Sequence, residues 1–229
     1  MSIADNYLRV SEELAAACVE VARDPDDVCL LAVSKTVGVD GVRDAIEAGA
    51  VDFGENRPDL LIDKAEEFPD RRWHFIGNIQ SRRIEDIVRF STLIHSLYQE
   101  KHAIKIDRCA EKMGKVQDVL IEVNVSGEKS KSGIAPDEAA LLLERCEALC
   151  NIRVRGLMTM APQGDLEVAR RTFADLRKLA EHLRATLNGE DAKAFDQLSM
   201  GMSEDWKVAV AEGSTIVRIG RAVFSENFA

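Results

Sequence analysis

Apolar residues along the chain alternate between two spacings. Val28-Cys29-Leu30-Leu31-Ala32-Val33 is an unbroken apolar run, which reads as a strand buried on both faces. Upstream, Leu14, Cys18, Val21 and Ala22 fall on one face of an opening helix. Downstream, Val42, Ala45, Ile46 and Gly49 recur at helical spacing, with Gly49 suited to a C-cap. The alternation continues, with strands expected at Val51–Phe53, Trp73–Ile76, Thr92–His95, Val116–Val123, Arg153–Leu157, Ala194–Leu198 and Thr215–Ile219. Between them, Leu166, Ala169, Phe173, Leu176, Ala180, Leu183 and Leu187 keep the helical period, and Trp206, Ala209, Val210 and Gly213 repeat it. Eight strand–helix units in about 200 residues, without a linker or low-complexity stretch, predict an α/β fold. The expectation is one (β/α)₈ TIM barrel domain over residues 1–229 with an N-terminal helix. An open doubly wound sheet is the alternative.

Composition narrows the function. The 229 residues are 46% hydrophobic and 31% charged, enough apolar material for a full core. With 30 basic against 40 acidic residues the net charge is −10, which argues against a broad surface for nucleic acid or anionic lipid but leaves room for a small cradled anion. The five cysteines are odd in number and contain no C-x-x-C pair, so reduced, mostly buried thiols are expected; Cys146 and Cys150, one helical turn apart, read as a buried stripe. No apolar run is long enough for a membrane span, and the N-terminus lacks a signal-peptide pattern, so a cytoplasmic protein is expected and Asn124-Val125-Ser126 is read as an unused glycosylation sequon. The four histidines show no metal-ligand spacing, and His74 reads as a satisfied strand histidine.

In a (β/α)₈ barrel the chemistry gathers where strands end. Here those ends are polar: Ser34-Lys35-Thr36, Gly54-Glu55-Asn56, Gly77-Asn78-Ile79-Gln80, Asn124-Val125-Ser126, Met158-Thr159-Met160, Ser199-Met200-Gly201-Met202-Ser203 and Arg218-Ile219-Gly220-Arg221. Lys35 directly follows an apolar strand; with its stem desolvated at the barrel mouth it would be a Schiff-base nucleophile, and otherwise a lysine that snorkels to water. Ser203 is a plausible N-cap for the Trp206 helix, so the seventh loop, with Gly220 and Arg221 as a second edge, is either a phosphate cup or ordinary turn chemistry. Glu55 and Asn56 are pocket groups or a simple turn. The Glu128–Gly133 loop is a lid or a solvated loop.

The motifs Leu31-Ala32-Val33-Ser34-Lys35-Thr36, Phe53-Gly54-Glu55-Asn56, Trp73 to Gln80, Val123 to Ser126 with Lys131-Ser132-Gly133, Gly156-Leu157-Met158, Leu198 to Ser203 and Gly213 to Gly220 run along nearly the whole chain. Together they resemble the pyridoxal phosphate homeostasis proteins, single-domain relatives of the alanine racemase N-terminal barrel (fold type III among pyridoxal phosphate proteins). The resemblance implies that Lys35 carries pyridoxal 5′-phosphate (PLP) as a Schiff base. It further implies that Ser199, Gly201, Gly220 and Arg221 surround the phosphate, that Asn56 and Met200 belong to the cofactor pocket, and that Arg218 faces the pyridine nitrogen. No metal is implied. The family departures are Arg57-Pro58-Asp59 after the G-E-N motif, Arg82-Arg83 where an Asn-Lys pair is usual, and Ser225 where glycine is usual.

The implied function is a cytosolic monomer that binds and buffers PLP, delivers it to recipient apo-enzymes and so affects amino-acid and keto-acid balance. A PLP-dependent racemase or decarboxylase is the enzymatic alternative, and a Schiff-base aldolase without PLP a third. An arginine at the pyridine nitrogen gives a poor electron sink, and Tyr7 and Tyr98, the only tyrosines, are not placed to act as an opposite-face base. The carrier is therefore preferred.

Overall fold

The structure is a computed structural model describing residues 2–128 and 131–225, so Lys129 and Ser130 of the expected lid lie outside the described residues. In chain order the elements are α1 (Ile3–Glu20), β1 (Cys29–Val33), α2 (Val39–Glu47), β2 (Asp52–Glu55), α3 (Pro58–Glu67), β3 (Arg72–Phe75), α4 (Ile84–Phe90), β4 (Leu93–Leu97) and α5 (Glu100–Lys112). They continue as β5 (Gln117–Glu122), α6 (Ala139–Glu147), β6 (Ile152–Met158), α7 (Leu166–Arg184), α8 (Gly189–Ala194), β7 (Gln197–Met202), α9 (Trp206–Ala211), β8 (Ile216–Ile219) and α10 (Arg221–Phe224). The strands are parallel and close on themselves in sequence order; β1 pairs β8 from Cys29↔Ile216 to Ala32↔Ile219, so the open sheet is excluded.

Two apolar layers hold this shape. Outward-facing strand residues such as Phe53, Trp73 and Phe75 pack against the helix ring, where Phe173 and Leu176 of α7 are fully buried. Leu31, Leu93, Leu120, Met158 and Ile216 meet inside the barrel. Ser2 caps α1 with a reciprocal bond pair to Asp5. The α1 helix buries Tyr7, Val10, Leu14, Ala17 and Cys18; Val21, expected on that face, is instead its half-exposed C-cap. Gly49 lies just past α2 at φ +101°, the left-handed conformation its C-terminal position predicts.

Strand seven shows the largest shift. The expected Ala194–Leu198 segment gives up Ala194 to α8, and the strand runs from Gln197 through Met202, absorbing residues read as a loop. Its polar and glycine positions hid it: Ser199 is buried, and Gly201 sits at φ +94° where the pairing with β8 shifts register. Cys18, Cys109 and Cys146 are buried free thiols as expected, whereas Cys150 is exposed. No described helix is long and apolar enough to cross a membrane.

Candidate functional site

The C-terminal strand ends surround a cavity of about 640 Å³, within the range usual for small-molecule sites. Its wall includes Val33 at the end of β1 and Lys35 after it, Asn56 after β2, Ile76 and Gly77 after β3, Glu122 on β5, Met158 on β6 and Arg218 on β8. Met202 to Asp205, Gly220 and Arg221 form one rim, and Pro162 to Leu166 another. Tyr7 and Tyr98 do not line it.

Lys35 stands where the strand pattern places it, in the turn after β1 and on the cavity wall, but it is exposed. The side chains of the fold therefore do not supply the desolvation anticipated for it. Its turn is anchored from below. Lys64 of α3 is 2% exposed and ion-paired to Glu55 Oε1, and it donates to the Ser34 carbonyl at 2.8 Å. Ser34 Oγ donates to the same Glu55 oxygen at 2.7 Å. Glu55 is thus a buried support, not a pocket group. Lys64 was missed in the sequence, although a lysine at the helical spacing of Leu61 and Ala65, both buried, is an identifiable signal. Asn56 does reach the cavity. Gly77 is obligatory beside it, because a Cβ there would lie 2.0 Å from the Asn56 carbonyl oxygen.

The cofactor residues expected from strands seven and eight divide into two groups. Gly220 and Arg221 line the cavity, with Ser203 facing them. Arg221 Nη2 donates to Glu204 Oε1 at 2.6 Å, tying the β7 and β8 loops together. Ser199, Met200 and Gly201, by contrast, do not line the cavity. Met200 is fully buried in the outer core, and a Cβ on Gly201 would stand 2.6 Å from Ala209 Cβ of α9. Ser199 is buried inside the barrel. The cause is strand seven: extended to Met202, it carries these three residues below the mouth. Ser203 is not the N-cap of α9; Asp205 holds that position, and its Oδ1 accepts the Met202 N–H at 2.6 Å, closing the turn that presents Ser203 and Glu204.

Arg218 is 5% exposed yet lines the cavity. Its Nη1 donates to the carbonyl and hydroxyl oxygens of Ser199, each at 2.8 Å, and Nη2 donates to the Thr159 carbonyl at 3.1 Å. These bonds occupy part of a five-donor fork and leave N–H groups for a cavity ligand. Burial pushes the guanidinium down to about 10, against the opposing pull of Asp205 and Glu122. Glu122, 3% exposed, has an Oε2 with no hydrogen-bond partner among the described residues. Burial pushes its carboxyl up to about 7, and Arg218 only partly offsets this. Among the described residues no cluster of His, Cys, Asp and Glu is arranged to hold a metal.

The donor set suits an anionic, aldehyde-bearing heteroaromatic ligand: a lysine amine, a two-loop rim with a glycine whose Cβ would crowd the Val33 carbonyl at 3.2 Å, and a donor-only guanidinium. The alanine racemase N-terminal domain model matches residues 13–227. A protein of Aquifex aeolicus (strain VF5) named pyridoxal phosphate homeostasis protein is 39% identical over 229 residues, covering 99% of each chain. Its Pseudomonas aeruginosa namesake is 40% identical over 226 residues, covering 97% of this chain and 95% of that one. Among solved structures, PipY of Synechococcus elongatus PCC7942 with PLP bound superposes with a TM-score of 0.79 at 32% identity, covering 93% of this chain and all of its own. Alanine racemase of Clostridium difficile 630, at 15% identity and a TM-score of 0.75, shares the fold over 98% of this chain and 58% of its own. Closed barrel, strand-end lysine and full-length identity agree, and the chain belongs to the pyridoxal phosphate homeostasis protein family, built on the alanine racemase N-terminal barrel.

Proposed function

We propose that residues 1–229 act as one cofactor-binding unit that takes up pyridoxal 5′-phosphate reversibly and passes it to recipient apo-enzymes in the cytoplasm, as a monomer. The observation that carries this reading is Lys35, in the turn after β1, and Arg218, on the neighbouring strand β8, on the wall of one cavity. When bound, the cofactor supplies an aldehyde that condenses reversibly with an amine. Lys35, exposed at the mouth, is the amine. Exposure suits a carrier, since an open lysine can exchange its load. Arg218 presents N–H donors and no transferable carboxylic proton, so it holds a ring nitrogen as an acceptor without protonating it. Ser203, Gly220 and Arg221 face the phosphate, where Arg221 adds charge. The PLP-bound structure of the Synechococcus elongatus relative supports the choice of cofactor.

The test is the absorption spectrum of purified protein before and after borohydride, with peptide mapping. The pyridoxyl group is expected on Lys35. Lys35→Ala is expected to lose the imine band and keep its melting temperature, since an exposed mouth residue contributes little to packing. A pyridoxyl group on any other lysine overturns the assignment. A phosphosugar imine with no PLP band would establish the aldolase instead.

A further inference from the structure

Below the cavity, five side chains form a continuous polar line through a barrel interior that usually holds branched apolar residues. Arg218 Nη1 meets Ser199 Oγ at 2.8 Å, Ser199 Oγ meets His95 Nδ1 at 2.8 Å, His95 Nε2 meets His74 Nδ1 at 2.9 Å, and His74 Nε2 meets Asp52 Oδ1 at 3.2 Å. Asp52 is also gripped by Arg72 through two bonds, Nε to Oδ1 at 2.6 Å and Nη2 to Oδ2 at 2.5 Å. His74, His95, Ser199 and Arg218 are all buried.

The two ends fix the direction of every bond. Arg218 can only donate, so Ser199 Oγ accepts from it and gives its single hydrogen to His95 Nδ1. His95 then carries its proton on Nε2 and donates to His74 Nδ1, and His74 carries its proton on Nε2 and donates to the Asp52 carboxylate. Burial works to raise the Asp52 carboxyl, but the hydrogen bonds from His74 and Arg72 and the Arg72 charge outweigh it and hold the group well below the usual carboxylate range. Burial, with the Arg218 charge adding to it, holds the His95 ring well below the ordinary imidazole range. The opposite polarity needs a doubly protonated His74 and a His95 that donates to Ser199. That arrangement leaves the buried Ser199 hydrogen without an acceptor. The line is also no proton wire to the cavity, because Arg218 has no lone pair to receive a proton.

We propose that His95, acting through the Ser199 hydroxyl, is the positioning residue that aims Arg218 at the ring nitrogen of the bound cofactor, with His74 and Asp52 fixing the His95 tautomer. This rests on the PLP reading above. Ser199 thus belongs to the ring end of the site and not to the phosphate.

Three His95 and Ser199 variants separate positioning from packing. The amide oxygen of His95→Asn falls near the lost Nδ1 and can still accept from Ser199. The amide of His95→Gln falls near the lost Nε2 and keeps the contact with His74 only. Ser199→Ala removes the link itself. The readout is the ratio of affinities for PLP and for its 1-deaza analogue, in which carbon replaces the ring nitrogen. The unaltered protein is expected to prefer PLP by roughly tenfold or more, the effect of one hydrogen bond to a charged group. His95→Gln and Ser199→Ala are expected to bring the ratio near one, and His95→Asn to keep most of it. Equal ratios in all four proteins overturn the proposal while leaving PLP binding intact; binding of neither compound by the unaltered protein overturns the PLP reading and the proposal with it. A variant that fails to fold does not remove the test, because nitrogen-15 spectra of the unaltered, unliganded protein decide the polarity. A hydrogen on Nε2 of each ring, donated along the line toward Asp52, is expected. A His95 protonated on Nδ1 beside a doubly protonated His74 overturns the proposal.

Discussion

Glu122 is a carboxyl whose proton the fold retains. It projects from the last residue of β5 into the barrel mouth, 3% exposed, with one oxygen unpartnered among the described residues and Arg218 as its nearest source of opposing charge. In the unfolded chain it titrates near its ordinary value of 4.5, and in the fold near about 7. Between those pH values the folded state holds a proton that the unfolded state has released, so stability falls as pH rises through this window and stays reduced above it. The deficit at pH 8 is roughly 2–3 kcal/mol, the lower end reflecting water in the cavity. Glu122→Gln is expected to match the unaltered protein in melting temperature near pH 4 and to exceed it at pH 8. The same difference at both pH values would show that burial does not shift this group. Nothing in the sequence marks Glu122, since its neighbours Ile121 and Val123 make it one more polar position in a strand; its chemistry comes from where the closed barrel points it.

At the scale of elements, the support under Lys35 is a contact between α3 and the ends of β1 and β2. Lys64, Glu55 and Ser34 form one buried cluster, and removing only the cation strands a carboxylate. Lys64→Met is therefore expected to cost about 3–5 kcal/mol in denaturant unfolding, while the double change Glu55→Gln/Lys64→Met recovers most of it. A loss below about 1 kcal/mol for the single variant would mean that Glu55 is solvated or protonated there. Elements that carry their apolar pattern outright were legible: β1 as an unbroken run, α7 from its long heptad-like stripe, α2 with its terminal Gly49. Strand seven was not, because Ser199 faces a polar barrel interior and Gly201 bends the strand, so turn-like residues occupy a strand position. That shift carries Ser199, Met200 and Gly201, expected at the cofactor, off the cavity wall.

At the scale of the whole molecule, barrel closure brings together groups that lie far apart in sequence, and this sets what the protein can do. The motifs at Lys35 and Gly220 placed the mouth correctly, because strand-end chemistry is local. The line from Asp52 to Arg218 crosses β2, β3, β4, β7 and β8, and only the closed sheet assembles it. Closure also adds a group that the enzyme alternative lacked: with Tyr7 and Tyr98 off the cavity wall, Glu122 is a carboxyl on that wall pushed up to about 7. Racemization needs proton transfer at both faces of the substrate carbon, and Lys35 with Glu122 is a pair on this cavity wall to test for it. Against this stands Arg218, which in the reading proposed above would hold the ring nitrogen as an acceptor without protonating it, and so would make the ring a poor electron sink. We expect the second effect to prevail. Loaded protein given L-alanine in deuterated water should exchange the Cα proton far more slowly than the ~1–10³ s⁻¹ of ordinary enzymes. Exchange at an enzyme-like rate, with loss of chirality in both directions and a collapse in Glu122→Gln, would overturn the carrier reading and make Glu122 the second proton-transfer residue of a racemase.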